Sequence, residues 1–189
     1  MKKFVLLVSA AVISVVSFGQ TWSVDKAHSQ LNFSVTHLSI ADIGGAFRSF
    51  DSKITASKDD FSDASIELTA EVGSVNTGND QRDNHLKTPD FFDAAKYPTL
   101  VFKSKSFTKV QGKKYKLAGD LTFHGVTKPV VLDVTLNGTT TNPMSKKATA
   151  GFTITGVIKR SDFGVAASMP AAMLSDEVRL VANTEFAKD

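Results

Sequence analysis

The sequence predicts an all-β fold: an antiparallel barrel of about eight strands, with one or two short helices at its mouth. Three observations predict it. Apolar and polar residues alternate with a period of two over seven separate segments, so each segment has one apolar and one wet face. Glycine-containing turn signals such as Gln111-Gly112-Lys113 and Asn137-Gly138 separate several of them, as hairpins require. The long continuous apolar runs of a buried parallel sheet are missing, which favours antiparallel pairing. Long antiparallel strands must hide their edges, and closure into a barrel does so. A two-sheet sandwich is the structural alternative.

The N-terminus stands apart from this pattern. Met1-Lys2-Lys3 is a short positive segment, and residues 4–18 form an almost uncharged apolar run. The run falls short of the roughly 20 residues a membrane span needs. Ser17 and Gly19 place small side chains two apart, the pattern of a signal-peptidase site, so a secretory signal is expected over 1–19 with one domain over 20–189. The expected location is the periplasm or the cell exterior. The whole chain has 22 Lys+Arg against 19 Asp+Glu, and losing Lys2 and Lys3 leaves 20 against 19. Such a balance gives no reason to expect nucleic acid as a partner. The chain has no cysteine, which excludes thiolate zinc sites, catalytic cysteines and iron–sulfur clusters.

Along the mature chain, Leu31, Phe33 and Val35 alternate with Asn32, Ser34 and Thr36, and a further strand is expected over 47–56. Ile66, Leu68, Ala70 and Val72 share one face, as do Leu100 and Phe102, then Tyr115, Leu117, Leu121 and Phe123. Val130, Leu132, Val134 and Leu136 follow the same rule, then Phe152, Ile154 and Ile158, and last Val178, Leu180, Ala182, Thr184 and Phe186. The segment between Asn76 and Pro98 breaks the alternation. It reads as a short helix capped by Thr77 or Asn79 and stopped before Pro89, with Arg82, His85 and Leu86 on one face. A second short helix or turn is expected around 170–174.

Five motifs then suggest a family. Trp22, Asp25, His28-Ser29, Phe33, Val35 and His37 come first, followed by Arg82-Asp83 with Leu86, and by Asp90-Phe91-Phe92-Asp93 leading to Tyr97-Pro98, Phe102 and Ser104. Gly119-Asp120-Leu121-Thr122-Phe123-His124-Gly125-Val126-Thr127-Lys128-Pro129-Val130 is the fourth, and Arg160-Ser161-Asp162-Phe163-Gly164-Val165 the fifth. In this order, over residues 22–186, they resemble the YceI-like family of periplasmic or secreted polyisoprenoid-binding proteins. The resemblance implies a lipocalin-like barrel, often a dimer, holding an isoprenoid or other long aliphatic chain, with no established reaction.

The apolar strand faces are the first candidate site: Leu31, Phe33, Val35, Leu68, Phe102, Leu121, Phe123, Val134, Phe152, Ile154 and Leu180. Their simpler reading is a filled core, since an eight-stranded barrel is either filled or holds one small ligand. Ala70, Gly119, Ala150, Gly156 and Ala182 on the same faces favour an elongated void. Affinity would come from the tail: full transfer of an isoprene unit is worth about 4 kcal/mol at about 0.8 kcal/mol per CH₂, and large ligands realise closer to about 0.3 kcal/mol per heavy atom.

A polar cluster is the second candidate: His28, His37, Arg82, Asp83 and His85. The Arg82 fork suits an oxygen-rich head group, helped by a nearby helix start; its simpler role is to pair with loop backbone. The four histidines lack the spacing of a zinc hydrolase, and a satisfied structural histidine is the simpler reading of each. Arg160 and Asp162 are expected to pair or cap a turn. Lys103, Lys105, Lys109, Lys113, Lys114 and Lys116 form a basic hairpin, read as a solvated face, with transient contact to an anionic membrane as its functional alternative. No cofactor and no catalytic residue is expected. An enzyme acting on a lipid or quinone through its histidines, and a structural barrel without bound lipid, are the competing functions.

Overall fold

A computed structural model describes residues 19–189. The expected secretory signal lies almost wholly outside the described residues. The described residues form eleven strands and one α-helix: β1 (Gln20–Val24), β2 (Gln30–His37), β3 (Ala41–Phe47), β4 (Phe50–Ala56), β5 (Ser65–Glu71), β6 (Val75–Asn76), α1 (Asp80–Leu86), β7 (Thr99–Gln111), β8 (Lys114–Phe123), β9 (Val126–Thr141), β10 (Ala148–Lys159) and β11 (Leu174–Lys188).

Eleven strands make eight staves. β1 and β2 lie end to end along β11, with Val24 opposite Phe186 and Gln30 opposite Asn183. β3 and β4 lie end to end along them, and the two-residue β6 continues the stave that β5 begins. From there β5, β7, β8, β9, β10 and β11 pair in sequence, always antiparallel, and β11 returns to β1. The ring is a closed eight-stranded barrel. The alternation explains it directly: β8 buries Tyr115, Leu117, Gly119, Leu121 and Phe123 and turns the residues between them outward.

Two expectations are corrected. The strand expected over 47–56 begins only at Phe50, as β4, because Arg48-Ser49 bends the chain, and Phe47 instead ends a separate strand, β3. β3 was hidden by Gly44-Gly45, which interrupt the apolar pattern. Gly45 is needed there, since a Cβ would lie 2.5 Å from the Phe33 ring. Asn137-Gly138 makes no hairpin but a bulge inside β9. Gly151 faces Gly138 and Phe152 faces Leu136, so Asn137 is the extra residue. The turn comes later, at residues 142–147, where the Asn142 side chain accepts from the Met144 and Ser145 amides. At residues 170–174 the turn allowed by the sequence forms, with the Met173 amide donating to the Pro170 carbonyl, and 3₁₀ turns form at Val72–Ser74 and Arg160–Phe163.

Helix α1 is capped by Asn79, whose side chain accepts from the Arg82 amide at 2.9 Å. Asp80 and Asp83 occupy its first turn, complementing the helix dipole themselves.

Candidate functional site

The barrel interior is not filled. A cavity of about 490 Å³ runs inside it, within the roughly 300–1,000 Å³ of small-molecule sites. Its wall is built stave by stave. β2 contributes Leu31, Phe33, Val35 and His37; β5 contributes Leu68 and β7 Phe102; β8 contributes Leu121 and Phe123. Val134 comes from β9, Phe152 and Ile154 from β10, and Leu180 from β11. Helix α1 adds Arg82 and His85. Fourteen of the sixteen residues of the two candidate sites thus line one chamber; His28 and Asp83 do not. Leu31, Phe33, Leu68, Ile154 and Leu180 are only half-buried although they point inward, because the surface they show is chamber wall.

One end is closed. The loop between β4 and β5 folds under the barrel and inserts Phe61, which is 1% exposed. Its ring meets Trp22 edge-on at 5.1 Å and Phe152 at 5.2 Å. The Tyr115 hydroxyl donates to the Asp60 carbonyl at 2.6 Å and ties the loop to β8, while Phe107 stacks on Tyr115 at 4.5 Å. Outside this plug, Lys109 holds the Asp60 carboxyl well below the usual carboxylate range, chiefly through a 2.9 Å hydrogen bond.

The mouth lies at the other end, among His37, Ile43, His85, Met169, Met173 and Leu174. Arg82 donates from Nε to the Thr77 hydroxyl at 2.7 Å and from Nη2 to the Thr77 carbonyl at 2.9 Å. Asp83, buried, accepts from the Thr77 amide and hydroxyl. The fork therefore braces the entry to α1 with two of its nitrogens, and Nη1 makes no hydrogen bond among the described residues. The short helix has its own acids at its start, so the anion-favouring helix terminus expected beside Arg82 is not offered.

The remaining polar candidates separate. His28 lies outside the barrel, where its Nδ1 is 2.9 Å from an Asp25 carboxylate oxygen. That bond raises the imidazole's pKa and lowers the carboxyl's. Asp25, His28 and Glu185 bring their ligand-type atoms within 4.8 Å of one another, on the outer surface. His124 meets the Phe163 carbonyl through Nδ1 at 3.0 Å. His37 and His85 face the cavity, and His85 packs against the Phe91 ring at 4.8 Å.

Arg160 does not pair with Asp162. It is buried, and its guanidinium donates to the carbonyls of Val165, Ala166, Met169, Leu174 and Ser175. It thereby pins the whole loop at the mouth, including Met169. Neither methionine at the mouth stood out in the sequence, because Met169 and Met173 belong to no periodic segment. Ile43, Leu132 and Val178 also line the chamber; the last two share the strand parity of the residues named from sequence.

The small residues act otherwise than expected. A Cβ on Gly119 would lie 2.5 Å from the Phe102 ring, and one on Gly156 2.4 Å from Leu132. Those glycines make room for neighbouring side chains rather than for a void. Ala70 and Ala150 are fully buried, and only Ala182 of the five reaches the chamber wall. The lysine-rich hairpin is exposed as expected, with Lys105, Lys109 and Lys116 paired to Asp120, Asp60 and Asp133.

Comparison with known proteins agrees with this architecture. A sequence model of the YceI-like domain matches residues 22–186. A UPF0312 protein of Staphylococcus aureus is 37% identical over 166 residues, 86% of this chain and 94% of the relative. Among solved structures, a YCEI protein of Campylobacter jejuni is 38% identical with a TM-score of 0.73, covering 82% of this chain and 89% of its own. BcnA of Burkholderia cenocepacia is 26% identical with a TM-score of 0.77, covering 86% and 98%. A polyisoprenoid binding domain from Saccharophagus degradans, 18% identical with a TM-score of 0.63 over 90% and 99%, is similar in fold. The family match begins at Trp22 in β1 and ends at Phe186 in β11, so it takes in every stave of the barrel, and the chain belongs to the YceI-like family.

Proposed function

We propose that this protein binds a long aliphatic molecule, an isoprenoid chain or similar lipid, inside the barrel and serves as its carrier or reservoir outside the cytoplasm. The observation that carries this reading is the chamber of about 490 Å³ walled by inward-facing aliphatic and aromatic side chains from every stave. Hydrocarbon entering it replaces water against carbon, and that exchange is favourable without any directional contact. About twenty carbons at about 0.3 kcal/mol each supply about 6 kcal/mol, a Kd in the tens of micromolar. The Saccharophagus degradans domain of similar fold is a polyisoprenoid binding domain, which supports the ligand class. Export rests on the N-terminal segment, with its positive start, apolar run and small-residue cleavage pattern.

Binding is better supported than catalysis. A general base is held by an orienting partner, and neither the His37 nor the His85 imidazole hydrogen-bonds a carboxylate or hydroxyl among the described residues. The direct experiment is native mass spectrometry of the purified chain, followed by organic extraction. Discrete added mass that extracts as a long-chain lipid is expected. A protein that carries no lipid, and takes none up after denaturation and refolding with polyprenol, refutes the proposal.

A further inference from the structure

Two adjacent uncharged segments border the mouth. Residues 38–41 turn β2 into β3, residues 169–173 lead into β11, and Ser39 is the only polar side chain among them. The Leu38 amide donates to the Met173 carbonyl at 2.9 Å, and the Ser39 hydroxyl to the Ala172 carbonyl at 3.4 Å. Leu38 is 48% exposed, Ile40 83% and Met173 48%, with Pro170, Ala171 and Ala172 exposed beside them. Met173 also lines the cavity, so apolar surface continues from the chamber over its rim to the outside.

The backbone at this rim is held in an unfavourable conformation. Leu38 and Ser39 have φ of 50° and 57°, and the Ile40 amide donates to the His37 carbonyl at 3.1 Å. This is the φ signature of a type I′ turn, which favours Asn-Gly because both central residues are left-handed. A leucine there is strained. Neither burial nor backbone preference accounts for Leu-Ser-Ile at an exposed tip, and strain kept at a surface points to use.

We infer that this rim is a bilayer-docking surface. Leu38, Ile40 and Met173 enter the apolar edge of a leaflet and hold the mouth against it, so that an aliphatic chain passes between membrane and chamber without crossing water. The inference rests on the reading of the chamber as a lipid site. The six apolar residues named fall well short of the roughly 20–30 per side of a stable protein interface, whereas a few apolar tips suffice to seat a protein in a membrane surface. The tip of the lysine-rich hairpin, at Gly112-Lys113, lies at the closed end, where docking would hold the mouth away from the leaflet.

The test is flotation of the full chain with phosphatidylcholine vesicles, with and without phosphatidylglycerol. The wild type is compared with a variant carrying Leu38→Asn, Ser39→Gly and Ile40→Thr. The variant should bind at least about tenfold more weakly to both vesicle types. It should melt no lower than the wild type, because Asn-Gly fits the turn, and should take up a dansylated fatty acid from solution as before. A variant that melts lower is replaced by Ile40→Thr alone, read the same way. Equal flotation of variant and wild type overturns the inference, as does a wild type that does not float. So does concentration-dependent dimerisation of the wild type that is lost in the variant while flotation is not. If neither protein takes up the fatty acid, the lipid reading of the chamber fails, and the flotation comparison still decides the rim.

Discussion

Two arginines at the same end of the barrel do different work. Arg160 is buried and directs its donors to five loop carbonyls, so its charge is satisfied by aligned dipoles rather than by an acid. Arg82 is half-buried, braces Thr77 and borders the chamber. Arg82→Ala should therefore weaken binding of a phosphate-headed polyprenol about tenfold or more, while a plain hydrocarbon of equal length loses much less. Titration of both ligands, with the melting temperature as a fold control, checks this; equal losses in a folded variant remove Arg82 from head-group binding. The side chains facing inward were readable from strand parity alone. The Arg160 partners were not, because they are backbone carbonyls of residues 165–175, and no side-chain pattern announces where carbonyls converge.

Among the elements, the β4–β5 loop shows how a short segment can close a barrel. Phe61 sits in the left-handed region at φ 57°, a strained conformation offset by packing against Trp22 and Phe152. Phe61→Ala should cost about 3–5 kcal/mol of unfolding free energy, whereas Leu68→Ala, half-buried on the chamber wall, should cost less than about 2 kcal/mol. Urea unfolding of the two variants measures the difference; equal costs would mean that the plug and the chamber wall are packed alike. Strand positions were legible wherever period-two alternation ran unbroken, as in β8. They were lost where Gly44-Gly45 interrupt β3 and where Asn137-Gly138, a hairpin signal elsewhere, inserts one residue into β9. A turn dipeptide reports a permitted backbone shape, and a bulge and a hairpin share it.

For the whole molecule, the barrel, its alternating faces and its chamber follow from one periodicity, and the size of the chamber does not. Small residues on the inward faces suggest open space, yet Phe102 fills the room beside Gly119 and Leu132 that beside Gly156. How neighbouring staves interdigitate decides the remaining volume. Leu180→Trp places bulk in the chamber from β11. It should fold with little change in melting temperature and hold at least about tenfold less lipid, measured by extraction; undiminished lipid content would place the ligand elsewhere.

The plug beneath the barrel makes the chamber a cul-de-sac. A flexible chain enters end first and leaves by backing out, so its last-entering end always lies on the side of the mouth. Depth then acts as a ruler: chains shorter than the chamber vanish into it, and longer ones trail outside. Such a vessel cannot serve as a conduit joining two membranes; to pass cargo from one to the other it must let go of the first and turn around.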